Sequence, residues 1–184
     1  FKEEGNEVFL IGEPLDELGG SEYYRTIYGT LGGNVPEADF PRERGQIRTV
    51  LDLHSHGWVR SCHDTGQGGL LTALAEMAIG GNGAGRLGLV VDIDEFDGTG
   101  LQPEKVLFSE TGCFIVELPP GNERELLAIC ARNRVKLNKL GTLKASPKLE
   151  IVSGGKAIAS WELGELEDIY MTGCRSIFGI EKGE

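Results

Sequence analysis

The chain has 184 residues, of which 40% are apolar and 26% charged. That is one domain's length with enough apolar side chains for a core, which argues against disorder. Its net charge of -11 comes without a basic patch, which argues against a nucleic-acid partner, and no apolar run is long enough to cross a bilayer, which argues against a membrane.

The first apolar run, Val8-Phe9-Leu10-Ile11, is closed by Gly12 and reads as a strand. Glu13 to Ser21 follows as a loop, and Ser21 is placed to cap a short helix through Tyr28. Gly29 to Phe40 is a connection containing Gly and Pro. Pro41 to His56 predicts a helix with Pro41 in its first turn and Ile47, Val50, Leu51 and His54 at helical spacing. Trp58 to Cys62 predicts a short strand, and Asp64 to Gly69 a tight connection. Leu70 to Ile79 predicts a helix with Leu70, Leu71, Leu74, Met77 and Ala78 on one face, ended by Gly80-Gly81-Asn82-Gly83.

Leu87 to Val91 reads as a strand, Gln102 to Phe108 as one or two helical turns, and Phe114 to Leu118 as a strand. Asn122 to Asn133 is an amphipathic helix carrying Leu126, Leu127, Ile129 and Cys130. Leu140 to Leu143, Leu149 to Val152 and Ala157 to Trp161 are short β runs separated by turn residues such as Gly154-Gly155, and Glu162 to Met171 is helical before a tail. Strands alternate with helices, but several strands are joined by short turns. This predicts an α/β chain of the α+β type, a mixed β-sheet flanked by helices, in place of a purely parallel sheet.

Cys62-His63-Asp64-Thr65-Gly66-Gln67-Gly68-Gly69-Leu70 lies between a predicted strand and a predicted helix. Gly68 and Gly69 leave the first helical amides uncovered where the helix dipole is positive, so a phosphate fits there. Glycines at such a junction also serve close packing alone, and the spacing leaves both readings open. The pattern is neither a P-loop nor a dinucleotide fingerprint. His63-Asp64 reads either as an acid–base pair or as a structural pair, with Asp64 capping the turn and His63 hydrogen-bonded.

His54 and His56, two positions apart, do not share a helix face and so make no metal pair. Asp92, Asp94, Glu95 and Asp97 lack the Gly and terminal Glu of a calcium loop, leaving a solvated acidic loop or a single magnesium contact. Cys62, Cys113, Cys130 and Cys174 are scattered, which suits free thiols in a reducing compartment better than zinc. No residue receives a catalytic or metal-binding role.

Three segments resemble the phosphoribosylformylglycinamidine synthase family. Gly12-Glu13, with Glu17-Leu18-Gly19-Gly20-Ser21-Glu22-Tyr23, is similar to the opening of the family's second half. His63-Asp64, Gly68-Gly69-Leu70 and Ala73-Leu74-Ala75-Glu76-Met77-Ala78 are similar to its His-Asp-x-x-x-Gly-Gly-Leu turn and helix. Leu107-Phe108-Ser109-Glu110-Thr111, followed by Phe114-Ile115-Val116, resembles its Ser-Glu segment. Order and spacing match from about Val8 to Val152. The turn and Ser-Glu motifs run through a wider superfamily that includes aminoimidazole ribonucleotide (AIR) synthetase and selenophosphate synthetase. The segment around Gly19-Gly20-Ser21-Glu22 is the one that points to the amidine synthase.

The resemblance implies a fold like the C-terminal domain of AIR synthase (PurM), with residues 1–184 as a single domain of a larger enzyme; the opening on Phe1 in place of Met suits such a piece. It implies a cytoplasmic ATP-dependent ligase of purine biosynthesis that converts formylglycinamide ribonucleotide to the amidine. ATP and magnesium would be bound mainly by the amino-terminal half-domains of the same enzyme, which are also partners, together with a glutaminase and small accessory subunits. It implies phosphate or nucleotide contacts from Gly68, Gly69, His63, Asp64, Ser109 and Glu110. Two departures weaken such contacts. Gly66-Gln67 stands where the family commonly has Ser-Glu, and Thr111-Gly112-Cys113 leads to Phe114 without the usual Arg. The turn therefore reads as anion-compatible but mainly structural, and the chain as inactive alone. The alternatives are the C-terminal domain of another superfamily ATPase, and a non-catalytic ligand-binding or assembly module.

Overall fold

In the computed structural model, which describes residues 1–80 and 86–178 (the backbone only for Asp97 and residues 174–178), the first apolar run forms strand β1 (Glu7–Ile11). Along the chain follow α1 (Glu22–Tyr28), α2 (Phe40–Ser55), β2 (Ser61–Asp64), α3 (Gly69–Ile79), β3 (Leu89–Asp92), a 3-10 helix (Ile93–Thr99), α4 (Pro103–Phe108), β4 (Phe114–Leu118), α5 (Glu123–Asn133), β5 (Leu137–Thr142), β6 (Lys148–Ser153), β7 (Lys156–Glu162) and α6 (Leu163–Phe178). The predicted Gly81-to-Gly83 helix end and the side chain of Cys174 lie outside the described residues.

Two sheets form. The first has the order β2-β4-β1-β5 and is antiparallel throughout, with Phe9 opposite Val116. The second has the order β3-β6-β7, with β3 parallel and β7 antiparallel to β6. They meet where Gly141 of β5 passes Val90 of β3. A Cβ at 141 would lie 2.4 Å from the Val90 carbonyl oxygen, so only glycine permits this approach.

After Glu7, β1 is apolar from Val8 to Ile11 because it is covered on both faces. Alternate side chains of a strand point to opposite sides. Val8 and Leu10 join α3 and the second sheet in the larger core, while Phe9 and Ile11 join Leu53 of α2 and Leu126, Ile129 and Cys130 of α5 in the smaller one. The mixed α/β architecture expected from the sequence is therefore present, as two sheets with helices packed against them.

Several local expectations change. The strand expected at Trp58 to Cys62 starts at Ser61 and runs to Asp64. Residues before it finish the helix: the Trp58 N–H donates to the Leu53 carbonyl at 3.3 Å, and its ring stacks on His56 at 4.6 Å. The buried stripe of α2 is Gly45, Gln46, Thr49 and Leu53, whereas Ile47 and Leu51 are 49% and 61% exposed. The helix is rotated from the apolar reading because Gly45 must pass close to α5, where a Cβ would lie 2.7 Å from the Asn133 carbonyl oxygen. The buried Thr49 hydroxyl is satisfied by the Gly45 carbonyl at 3.0 Å.

The acidic segment is a 3-10 helix, and not a loop, with Ile93 and Phe96 buried while Asp92 and Glu95 stay exposed. Asp94 accepts from the Ser153 hydroxyl at 2.9 Å and the Gly154 N–H at 2.8 Å, which ties the β6–β7 turn to this helix. β5 begins at Leu137, ahead of the expected Leu140, and α6 extends to Phe178.

Candidate functional site

Glycine is required twice at the start of α3. Gly68 and Gly69 have φ of 77° and 69°, in the left-handed region that L side chains avoid. A Cβ at Gly68 would lie 2.3 Å from the Thr72 hydroxyl oxygen, and one at Gly69 would lie 2.7 Å from the Phe108 carbonyl carbon. The second contact sets the first turn of α3 directly on the end of α4. It delivers Ser109 and Glu110, which follow α4, to the turn.

The amides exposed by these glycines are used internally. The Gly68 N–H donates to Glu110 Oε1 at 2.9 Å, and the Gly69 N–H to the Gly66 carbonyl at 3.0 Å. The same Glu110 oxygen accepts the Glu22 N–H at 2.9 Å. One carboxylate thus joins the first turn of α1 to the N-cap of α3, on the side where a helix dipole favours negative charge.

Hydroxyls connect the remaining motif residues. The Thr65 N–H donates to the Cys113 carbonyl at 2.9 Å, and its hydroxyl accepts the Cys113 N–H at 2.9 Å and donates to the Thr111 carbonyl at 2.9 Å. The Thr111 hydroxyl donates to Glu17 Oε2 at 2.6 Å, because a carboxylate only accepts. Its proton being committed, Ser109 is the donor in the 2.8 Å Ser109–Thr111 contact. Ser21 caps α1 by accepting the Tyr24 N–H at 3.3 Å. The three sequence segments around Gly19, His63 and Ser109 therefore converge on one place.

His63 and Asp64 are neighbours without being a dyad. Nδ1 of His63 lies 2.6 Å from the Asp64 carbonyl oxygen and Nε2 3.2 Å from the Glu76 carboxylate of α3. The Asp64 carboxylate is 3.7 Å from Nδ1, beyond hydrogen-bond reach, and 74% exposed. Asp64 does not cap α3 either, since the N-cap is Gly68 and no side chain caps there. Ser109, engaged with Thr111, is not directed at the turn's amides.

A phosphate on Gly68 and Gly69 would compete with Glu110 for one amide and with Gly66 for the other, and would meet the Glu110 charge first. The turn as folded does not fit that ligand. Among the described residues no group of three His, Cys, Asp or Glu is arranged to hold a metal. No described helix is long and apolar enough to cross a membrane. Burial pushes the Cys113 thiol up from 9.0 to about 12 and Cys130 to about 11, and burial, then Asp64, raises Cys62. Cys113 and Cys130 are buried and Cys62 exposed, all unpaired.

One prominent group escaped the sequence reading. Glu117 of β4 is 0% exposed. Its carboxylate accepts the backbone N–H groups of Lys2 (3.0 Å) and Glu3 (3.1 Å), the Asn6 side-chain amide (2.7 Å) and the Ser61 hydroxyl (2.6 Å). The only signal for it is a single Glu inside an apolar run.

A family profile described as "AIR synthase related protein, C-terminal domain" matches residues 3–154. A phosphoribosylformylglycinamidine synthase subunit PurL from Methanothrix thermoacetophila is 34% identical over 174 residues, covering 95% of this chain and 22% of that protein. Among solved structures, T. maritima PurL complexed with FGAR superposes with a TM-score of 0.77 at 18% identity, covering 90% of this chain and 28% of the other. T. maritima PurL complexed with ATP gives 0.70 at 20% identity, covering 91% and 26%. At these identities the structures show the fold. The chain spans about a fifth of the length of the curated relatives it matches.

Proposed function

The chain belongs to the AIR synthase related protein C-terminal domain family, and from that premise we propose that it is the second C-terminal domain of a phosphoribosylformylglycinamidine synthase. On this reading residues 1–184 form a single domain, and the parent is a cytoplasmic carbon–nitrogen ligase that uses ATP to convert formylglycinamide ribonucleotide to the amidine. ATP and magnesium are held mainly by the amino-terminal half-domains, its immediate partners. A glutaminase and small accessory subunits complete the assembly. The similarity of nearly the whole chain to about a fifth of a PurL subunit supports this placement.

The observation that carries the domain's role is the Glu110 carboxylate accepting from both Glu22 and Gly68. A side chain of the domain itself fills the position that a bound anion would take. Of the motif residues His63, Asp64, Gly68, Gly69, Ser109 and Glu110, it is Gly68 and Glu110 that join α1 to α3 and Gly69 that seats α3 on the end of α4. The domain gives the enzyme shape and docking surface, and the nucleotide chemistry lies elsewhere.

The test is turnover. With ATP, magnesium, formylglycinamide ribonucleotide and ammonia, the intact parent protein is expected to form the amidine. The isolated chain, shown to be folded by circular dichroism, is expected to release no phosphate above a mock preparation. Amidine from the isolated chain, or none from the intact protein, would overturn the proposal.

A further inference from the structure

We propose that the cleft between α2 and α5 binds a phosphate-class polyanion, a small molecule carrying two or more adjacent phosphoryl groups. The cleft has a volume of about 510 Å³ and is lined by Phe40, Arg44, Arg48, Arg132 and Arg134. That is the volume of a small-molecule site. It gathers four guanidinium groups in a chain whose 29 acidic residues outnumber 18 basic ones.

Of the four cleft arginines only Arg132 pairs with a carboxylate among the described residues. Arg25, Arg86, Lys105, Lys139 and Lys148 each have an ion-pair partner, and so does Arg132, 2.7 Å from Asp52. Asp52 also accepts from Asn133 at 3.0 Å. Arg44, Arg48 and Arg134 have no ion pair among the described residues. Arg44 and Arg48, four positions apart on α2, repel each other. The negative end of the α5 dipole favours Arg132 and Arg134, which stand in that helix's last turn and at its C-cap.

Two backbone features build the cleft. Gly45 lets α2 approach the end of α5, since any Cβ would meet the Asn133 carbonyl oxygen. This brings the two arginine pairs to one concavity. Arg134 sits at the C-cap of α5 with φ of 58°, and is the single non-glycine at positive φ among the described residues. Gly or Asn would take that position with less strain, yet it carries a guanidinium. Several forked donors facing one space suit a ligand with many anionic oxygens. The cleft shares no lining residue with the His63 turn, and its helices cover the opposite face of the four-stranded sheet from α3.

Calorimetric titration of the full chain with inorganic tripolyphosphate, without metal, tests the site. One saturable site is expected, weakened by raising salt. Arg44→Gln/Arg48→Gln is expected to weaken binding by about tenfold or more, and Arg44→Lys/Arg48→Lys by about threefold, because lysine keeps charge without the fork. Arg124→Gln, on the exposed side of α5, is expected to leave it unchanged. Thermal unfolding of each variant verifies that it is folded, and Arg44, Arg48 and Arg124 are all exposed, so the fold tolerates the changes. Absence of saturable binding, equal loss in Arg124→Gln, or tighter binding of a polyglutamate peptide than of tripolyphosphate would overturn the proposal, the last by making the cleft a protein-docking face.

Discussion

Glu110 and Glu117 stand at either end of one short stretch, the first just past α4 and the second near the end of β4, and both collect donors from segments far upstream. Glu117 is fully enclosed and accepts from four residues, Lys2, Glu3, Asn6 and Ser61. Glu110 is half-buried and accepts two amides on a single oxygen. A carboxylate removed from water must have its lone pairs filled by the protein, whereas one at the surface keeps water as a further partner. Glu117 thus fastens the N-terminal segment to the sheet out of reach of water, and Glu110 braces a motif that water still reaches.

Removing each side chain should separate the two. Glu117→Ala strands several buried donors and is expected to cost about 3–5 kcal/mol in urea unfolding. A loss below about 1 kcal/mol would show that the enclosed carboxylate is not the stronger fastening. Glu110→Ala exposes its amides partly to water and is expected to cost about 1.5–3 kcal/mol. A loss exceeding that of Glu117→Ala would invert the ranking.

Cys113, between the two in sequence, offers a smaller, pH-dependent contrast. Its folded pKa of about 12 lies above the ordinary 9.0, so the folded state holds the thiol proton more tightly than the unfolded state. That contribution is fully present below pH 9.0 and is lost as pH rises toward about 12. Between pH 8 and 10 the protein is expected to lose about 1.4 kcal/mol more than a Cys113→Ala variant, measured by urea unfolding at both values. Equal losses would place the thiol in a wetter setting than its 2% exposure indicates.

The elements governed by local pattern were legible in the sequence: β1 from its unbroken apolar run, α3 from its stripe of Leu70, Leu74 and Met77, and α1 from the Ser21 cap. The site residues were legible as a set of motifs, but their chemistry was not. Whether the Gly68 amide faces a ligand or a side chain depends on Glu110, 42 positions away. Glu117 was hidden for the same reason, its donors lying 115 and 56 positions away. The rotation of α2 depended on the approach of Gly45 to α5, which buries Gln46 and Thr49 against the expectation for polar side chains. Tertiary pairing decided each of these, and local periodicity carries no trace of it.

The contact of Gly69 with Phe108 is backbone resting on backbone. Side chains yield by changing rotamer, but two main chains in contact have no such slack. A neighbouring domain that pushes on α4 must also displace the start of α3, and with it the strand end that bears His63. The start of α3 and the end of α4 therefore cannot slide past one another by a change of side-chain rotamer alone.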